Sequence, residues 1–223
     1  MNLDSSPLDD FNGIARVFPL PNLVLFPNLM QPLHIFEPRY RQMTREALDT
    51  DRLIAMALLG PDWEEEYTNT PDIHQIICVC SIVHSRELED GRYDILVRGL
   101  QRARVLEELE TEKLYRMFRA ELLEEESAPA TLDTETLQNE MLSLLPRWFP
   151  DQPDMITQFQ DLTKNNIPFA TFCDIFGFAL PFPVEFKQEL LGQLDVSARA
   201  NQLLTKLRSR GVSRPFPPDF SNN

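Results

Sequence analysis

Cysteine, glycine and positive charge are all scarce in this 223-residue chain, and no apolar run approaches a membrane span. The three cysteines, at 78, 80 and 173, are too few and too unevenly placed for a disulfide framework. None of the seven glycines is followed by Lys, so the G-x-x-x-x-G-K-[ST] loop that cradles phosphates is missing. No G-x-S-x-G nucleophile elbow occurs. A bilayer-crossing helix needs about 20 predominantly apolar residues, and the opening MNLDSSPLDD has no basic stretch leading into an apolar one. The expectation is a soluble, cytoplasmic protein with no membrane partner.

Lys and Arg number 21 against 35 Asp and Glu, a formal net charge of -14. Such a field repels a polyanion, so no nucleic-acid partner is expected. What the chain does have is an ordinary globular balance, 43% hydrophobic and 25% charged.

Residues 1–13 read as a flexible arm. The stretch VFPLPNLVLFPNLMQPLHIF follows, and its prolines at 19, 21, 27 and 32 exclude a helix and favour short strands. Pro38 opens a predicted helix whose inward face is Tyr40, Met43, Thr44, Ala47 and Leu48. LIAMALL, 53–59, reads as a buried strand and GPDWEEEYTNTP, 60–71, as an acidic surface loop. Strand character resumes over 73–88. Asp90-Gly91 predicts a type I′ hairpin turn, after which Tyr93, Ile95 and Val97 alternate with Asp94, Leu96 and Arg98. Residues 103–109 and 115–123 read as further strands. EEESAPA, 124–130, breaks the composition, and apolar stripes of helical period then recur. The last predicted helix has Asp195 as N-cap and Gly211 after its C-terminus.

Three segments carry a family resemblance: FPLPNLVLFPNLMQPLHIFEPRYRQM at 18–43, DGRYDILVRGLQRARVLEEL at 90–109 and LPFPVEFKQELLGQLDVSARANQLLTKL at 180–207. Together they resemble the N-terminal substrate-binding domain of the Lon protease, a domain also seen in cereblon, across about residues 14–211. The resemblance implies an α+β fold. A PUA-like antiparallel β-sheet or pseudo-barrel with one helix would occupy 14–126, an α-helical bundle subdomain 131–211, and a tail 212–223. In Lon this region recognises substrate proteins and aids assembly of the hexamer. The ATPase and the Ser–Lys protease domain of Lon have no counterpart in this sequence, so a free-standing, non-catalytic module is expected. Its partners would be proteins or unfolded peptides, with a proteolytic machine downstream and no cofactor. The alternatives are an RNA-binding PUA-like protein and a small-molecule or metal-binding regulator.

Trp63 and Tyr67, set among Glu64, Glu65 and Glu66 in a polar loop, are the candidate protein-binding residues, since Trp and Tyr are enriched at docking sites; folding back over the sheet is the equal alternative. Two other clusters read as structural. His74, Cys78, Cys80 and His84 suit zinc by chemistry, but a straight strand sets the two histidines about 33 Å apart, so only a bulge near Cys80 could gather them. His34, Glu37 and Arg39 read as charge placed around the start of a helix. Arg98, Arg102 and Arg104 are expected to pair with carboxylates on neighbouring strands, and Trp148 and Phe149 to lie in the core.

Overall fold

The computed structural model describes residues 7–61, 63, 71–165 and 167–209. The chain forms two compact units. One holds residues up to Glu125 together with Val184–Leu194, and the other holds Glu126–Pro183 with the chain from Asp195 onward.

Six strands build the first unit: β1 (Ile14–Leu20), β2 (Met30–Ile35), β3 (Leu53–Leu58), β4 (Ile76–Glu87), β5 (Tyr93–Leu109) and β6 (Met117–Leu122). Their order is β2-β5-β4-β3-β1-β6, and β6 also pairs with β5, so five strands close on themselves and β2 is left outside the ring. All pairs are antiparallel except β1 with β3. A five-stranded ring has a narrow interior. Small side chains suit it, and Ala15, Ala55, Ala57, Ala103 and Ala120 line it beside Val17, Ile77, Val79 and Phe118. Alternate residues of a strand face opposite ways. Ile54, Met56 and Leu58 therefore point out of the ring, yet they too are buried. Helix α1 (Pro38–Leu48) packs against β3 and buries Tyr40, Met43, Thr44 and Ala47, the face that its apolar spacing predicts except for half-buried Leu48.

Strand β5 runs unbroken for 17 residues, where the sequence suggests two shorter strands. Its first half pairs with β2 and β4, and its second half with β4 and β6. The turn before it also departs from expectation. Gly91 has φ +76°, but Asp90 is not among the described residues with positive φ, which rules out type I′. Instead the Gly91 N–H donates to the Leu88 carbonyl and the Leu88 N–H to that of Arg92, both at 2.8 Å. Only Gly91 takes the left-handed conformation, and Asp90 steadies the turn by accepting from the Arg92 N–H.

Helix α5 (Val184–Gly192) belongs to this unit, although four helices surround it in sequence. The Gln188 side chain donates to the Ile76 carbonyl at 2.8 Å. Arg102, buried to 2% exposure, donates from Nε to the Leu191 carbonyl at 2.8 Å and from Nη1 to Glu125 at 2.9 Å. The same helix carries Lys187, whose ammonium burial pushes down to about 8 from the usual 10.5. Below pH 8 the folded protein holds this charge partly desolvated, and the cost is complete. Between pH 8 and 10.5 the folded state releases the proton while the unfolded state keeps it, so this cost shrinks as pH rises. Lys187→Met is expected to raise stability by about 1 kcal/mol at pH 7, after allowing for partial exposure, and to lose that advantage at pH 10. Denaturant melts at the two pH values test this, and a variant less stable than wild type at pH 7 refutes it.

The second unit contains α2 (Thr134–Leu144) followed by a 3₁₀ turn (Leu145–Arg147), α3 (Pro153–Lys164), α4 (Phe169–Ala179) and α6 (Val196–Arg208). Asp133 caps α2 by accepting from the Thr136 N–H. Asp195 caps α6 as its sequence position predicts, accepting from the N–H groups of Ser197 and Ala198. Gly211 lies outside the described residues. Phe159 and Phe172 both pack on the Phe176 ring, with centroids 4.7 and 4.6 Å away. Phe149 is buried, while Trp148 is half-buried against Phe182 and donates to the Leu207 carbonyl.

Candidate protein-docking surface

The register of three strands creates a single solvent-facing surface. Met30, Pro32 and His34 of β2 lie opposite Arg98, Leu96 and Asp94 of β5. On the other side of β5, Ser81, His84 and Arg86 of β4 oppose the same three residues. Directly paired side chains share a face. The alternate residues Ile35, Tyr93, Ile95, Val97 and Ile82 point the other way and are buried. A register shift between Ile82 and His84 turns Val83 outward.

Large apolar side chains are exposed on and beside this face: Met30 at 55%, Phe36 at 59% and Val83 at 45%. Single exposed apolar residues are unremarkable. Met30 and Val83 share this sheet face with Pro32 and half-buried Leu96, and Phe36 follows the end of β2. A polar row crosses the face beside them. The His34 imidazole lies 2.8 Å from one Asp94 oxygen, and Arg86 donates to the other. These partners, His34 foremost, hold the Asp94 carboxyl below its usual range. The Arg92 guanidinium approaches His34 Nε2 at 3.3 Å and can only donate. That contact assigns the lone pair to Nε2 and the proton to Nδ1, which then donates to Asp94. The imidazole is thereby fixed between two strands, with Phe36 stacked against it at 6.2 Å.

The loop chosen from composition is only partly described. Trp63 is half-buried, and its N–H donates to the Gly60 carbonyl. Tyr67, Glu64, Glu65 and Glu66 lie outside the described residues. Of the other clusters, Arg39 pairs with Glu37 at 2.8 Å, while His34 turns to Asp94. Arg104 pairs with Glu121 across to β6, Arg102 is the buried anchor of α5, and Arg98 reaches Asn28. The bulge that a metal site would need does occur, between Val79 and Cys80. Even so, no three His, Cys, Asp or Glu side chains converge among the described residues. Cys78 and Cys80 are buried free thiols, and desolvation holds the Cys80 thiol well above its ordinary value. Nothing in the sequence singles out Met30 or Phe36, because both sit in a proline-broken run where every apolar residue looks alike.

No described helix is long and apolar enough to cross a membrane. Fold and surface together define a mixed α+β module built around a small closed barrel, with an exposed apolar face on an added strand. The chain belongs to the ATP-dependent protease La (LON) substrate-binding domain family, whose model matches residues 14–209. The Lon protease of Syntrophus aciditrophicus is 28% identical over 208 residues, covering 88% of this chain and 26% of that protein. The Lon protease of Dictyoglomus thermophilum is 29% identical over 199 residues, covering 87% and 24%. The chain thus spans about a quarter of the length of these relatives. Among solved structures, the N-terminal domain of the Mycobacterium avium complex Lon protease superposes with a TM-score of 0.66 at 18% identity, covering 88% of this chain and 98% of that one. A Lon N-terminal domain protein from Xanthomonas campestris superposes at 0.62 and 20% identity, covering 86% and 97%. These likenesses support the α+β fold.

Proposed function

We propose that this module recognises unfolded or exposed segments of client proteins and makes or breaks no bond itself, acting as an adaptor or regulator of proteolysis. Membership of a substrate-binding family over 14–209 carries the reading. The exposed apolar face of β2, β5 and β4 supports it, since such a face is what a sheet needs to hold an unfolded chain. Binding to fluorescently labelled casein, an unfolded protein, is the direct test. Saturable binding is expected, with ATP hydrolysis and casein cleavage at background. Absence of binding, or turnover above a tag-removed control, sinks the reading.

The Trp63–Tyr67 loop is a second contact proposed for the same clients. Replacing both aromatics by Ala is expected to weaken casein binding about thirtyfold, the effect of losing roughly 2 kcal/mol at a hot spot. Circular dichroism and the melting temperature should stay as in wild type. Normal binding by the double variant removes the loop from the interface, and unfolding assigns the rings to the core.

A further inference from the structure

Two arginines beside the β2–β5–β4 face stand out against the acidic balance of the chain. The protein carries a formal charge of -14. Yet Arg52, Arg86 and Arg98 border the face and Asp94 is the carboxylate within it. Arg52 is held beside Val83 by reciprocal bonds, its Nε donating to the Ile82 carbonyl and the Ile82 N–H donating to the Arg52 carbonyl. Arg86 is engaged by Asp94. Arg98 makes one long bond, 3.4 Å to the Asn28 side chain. Among the described residues neither Arg52 nor Arg98 pairs with a carboxylate. The acids near the face have arginine partners of their own: Asp90 pairs with Arg92 and Glu37 with Arg39, while Glu107 and Glu108, at the far end of β5, pair with Arg119 and Arg116.

Backbone pairing along the outer edge of β2 is blunted. Pro32 brings no N–H to the strand, and the Gln31 side-chain amide donates to the Pro32 carbonyl at 2.9 Å. A bound chain is therefore held by side chains across the face, where apolar contact supplies affinity and fixed charge supplies selection.

We propose that this face takes an extended apolar segment of a client protein that carries acidic side chains beside its apolar ones. The proposal rests on the recognition reading above and names the chemistry of the client. Two arginines without a carboxylate partner among the described residues suit one or two client carboxylates. A nucleic-acid backbone, with a charge at every residue, would meet the repulsion of the whole molecule.

The test uses the full chain and four labelled probes in fluorescence anisotropy. One is a twelve-residue peptide with a Leu/Phe centre flanked by Asp and Glu, and the second has Lys at the flanking positions. The third keeps the acids but replaces the apolar centre with Ser, and the fourth is a twelve-nucleotide RNA. Wild type is expected to bind the acidic apolar peptide at least tenfold more tightly than the other three, with affinity falling as salt rises. Arg98→Glu should weaken the acidic peptide at least tenfold and strengthen the Lys peptide, a reversal that misfolding cannot produce. Met30→Ser with Phe36→Ser should weaken both peptides. A preference for Lys flanks, equal binding of the RNA, or acidic-peptide binding untouched by these variants overturns the proposal. If casein still binds in any of those cases, the broader recognition reading stands while this one falls.

Discussion

Arg199→Met is expected to destabilise the helical unit by about 3–5 kcal/mol, the usual cost of breaking a buried ion pair from one side. The Arg199 guanidinium is wholly buried, and its Nη1 donates to Asp174 Oδ1 at 2.9 Å, with the carboxylate only 2% exposed. Desolvating two charges is costly, and their attraction offsets that cost only while both are present. The single variant leaves the Asp174 carboxylate buried without its guanidinium. Asp174→Leu combined with Arg199→Met removes both charges, and the double variant should recover most of the loss. Trp148, whose indole donates to the Leu207 carbonyl, reports unfolding of this unit by fluorescence once Trp63 is replaced by Phe. A single variant that loses less than about 1 kcal/mol would place the pair in a far more solvated setting than its geometry describes.

Gly99→Ala should be comparably damaging, costing about 3 kcal/mol or more through overpacking against main chain. A Cβ at Gly99 would lie 2.2 Å from the Phe26 carbonyl oxygen and 3.1 Å from Cys78 Sγ. A flexible side chain could swing aside, but a carbonyl is moved only by displacing the segment that carries it. That segment is held to β5 at two points: the Gly99 N–H donates to Leu29 and the Asn28 N–H donates to the Gly99 carbonyl, at 2.9 and 2.8 Å. Asn28 itself adopts φ 65° to make the crossing. Because Met30 follows directly, the variant should also weaken client binding at the β2 face. Gly192→Ala is the control, since a Cβ there meets only Ile76 Cγ1 at 3.8 Å. A Gly99→Ala protein that melts like wild type and like this control would refute the close crossing.

Local chemistry was readable from the residues themselves. Pro38 opens α1 because its missing N–H is one that a first turn leaves unpaired, and Asp195 caps α6 because its carboxylate reaches two such groups. The alternation of Tyr93, Ile95 and Val97 correctly names the buried side of β5. The three segments matching the Lon pattern were equally legible and led to the family that the comparison shows. What failed at this level were features set by distant neighbours. The Asp90-Gly91 pair signals a turn but not its type, which depends on how β4 and β5 meet.

The amino-acid sequence alone thus determined the class of fold, the family, the starts of α1 and α6 and the inward side of β5, because each depends on a residue and its near neighbours. Only the tertiary structure decided that β5 continues through Gly99, that β6 closes the ring upon it, and that α5 returns to the barrel through Arg102 and Gln188. It also decided the candidate surface. Met30, His34, Arg86, Asp94 and Arg98 meet through strand register, and register is a cooperative property of paired backbones: shifting one strand by one residue would turn Met30 and His34 inward and Gln31 and Leu33 to solvent.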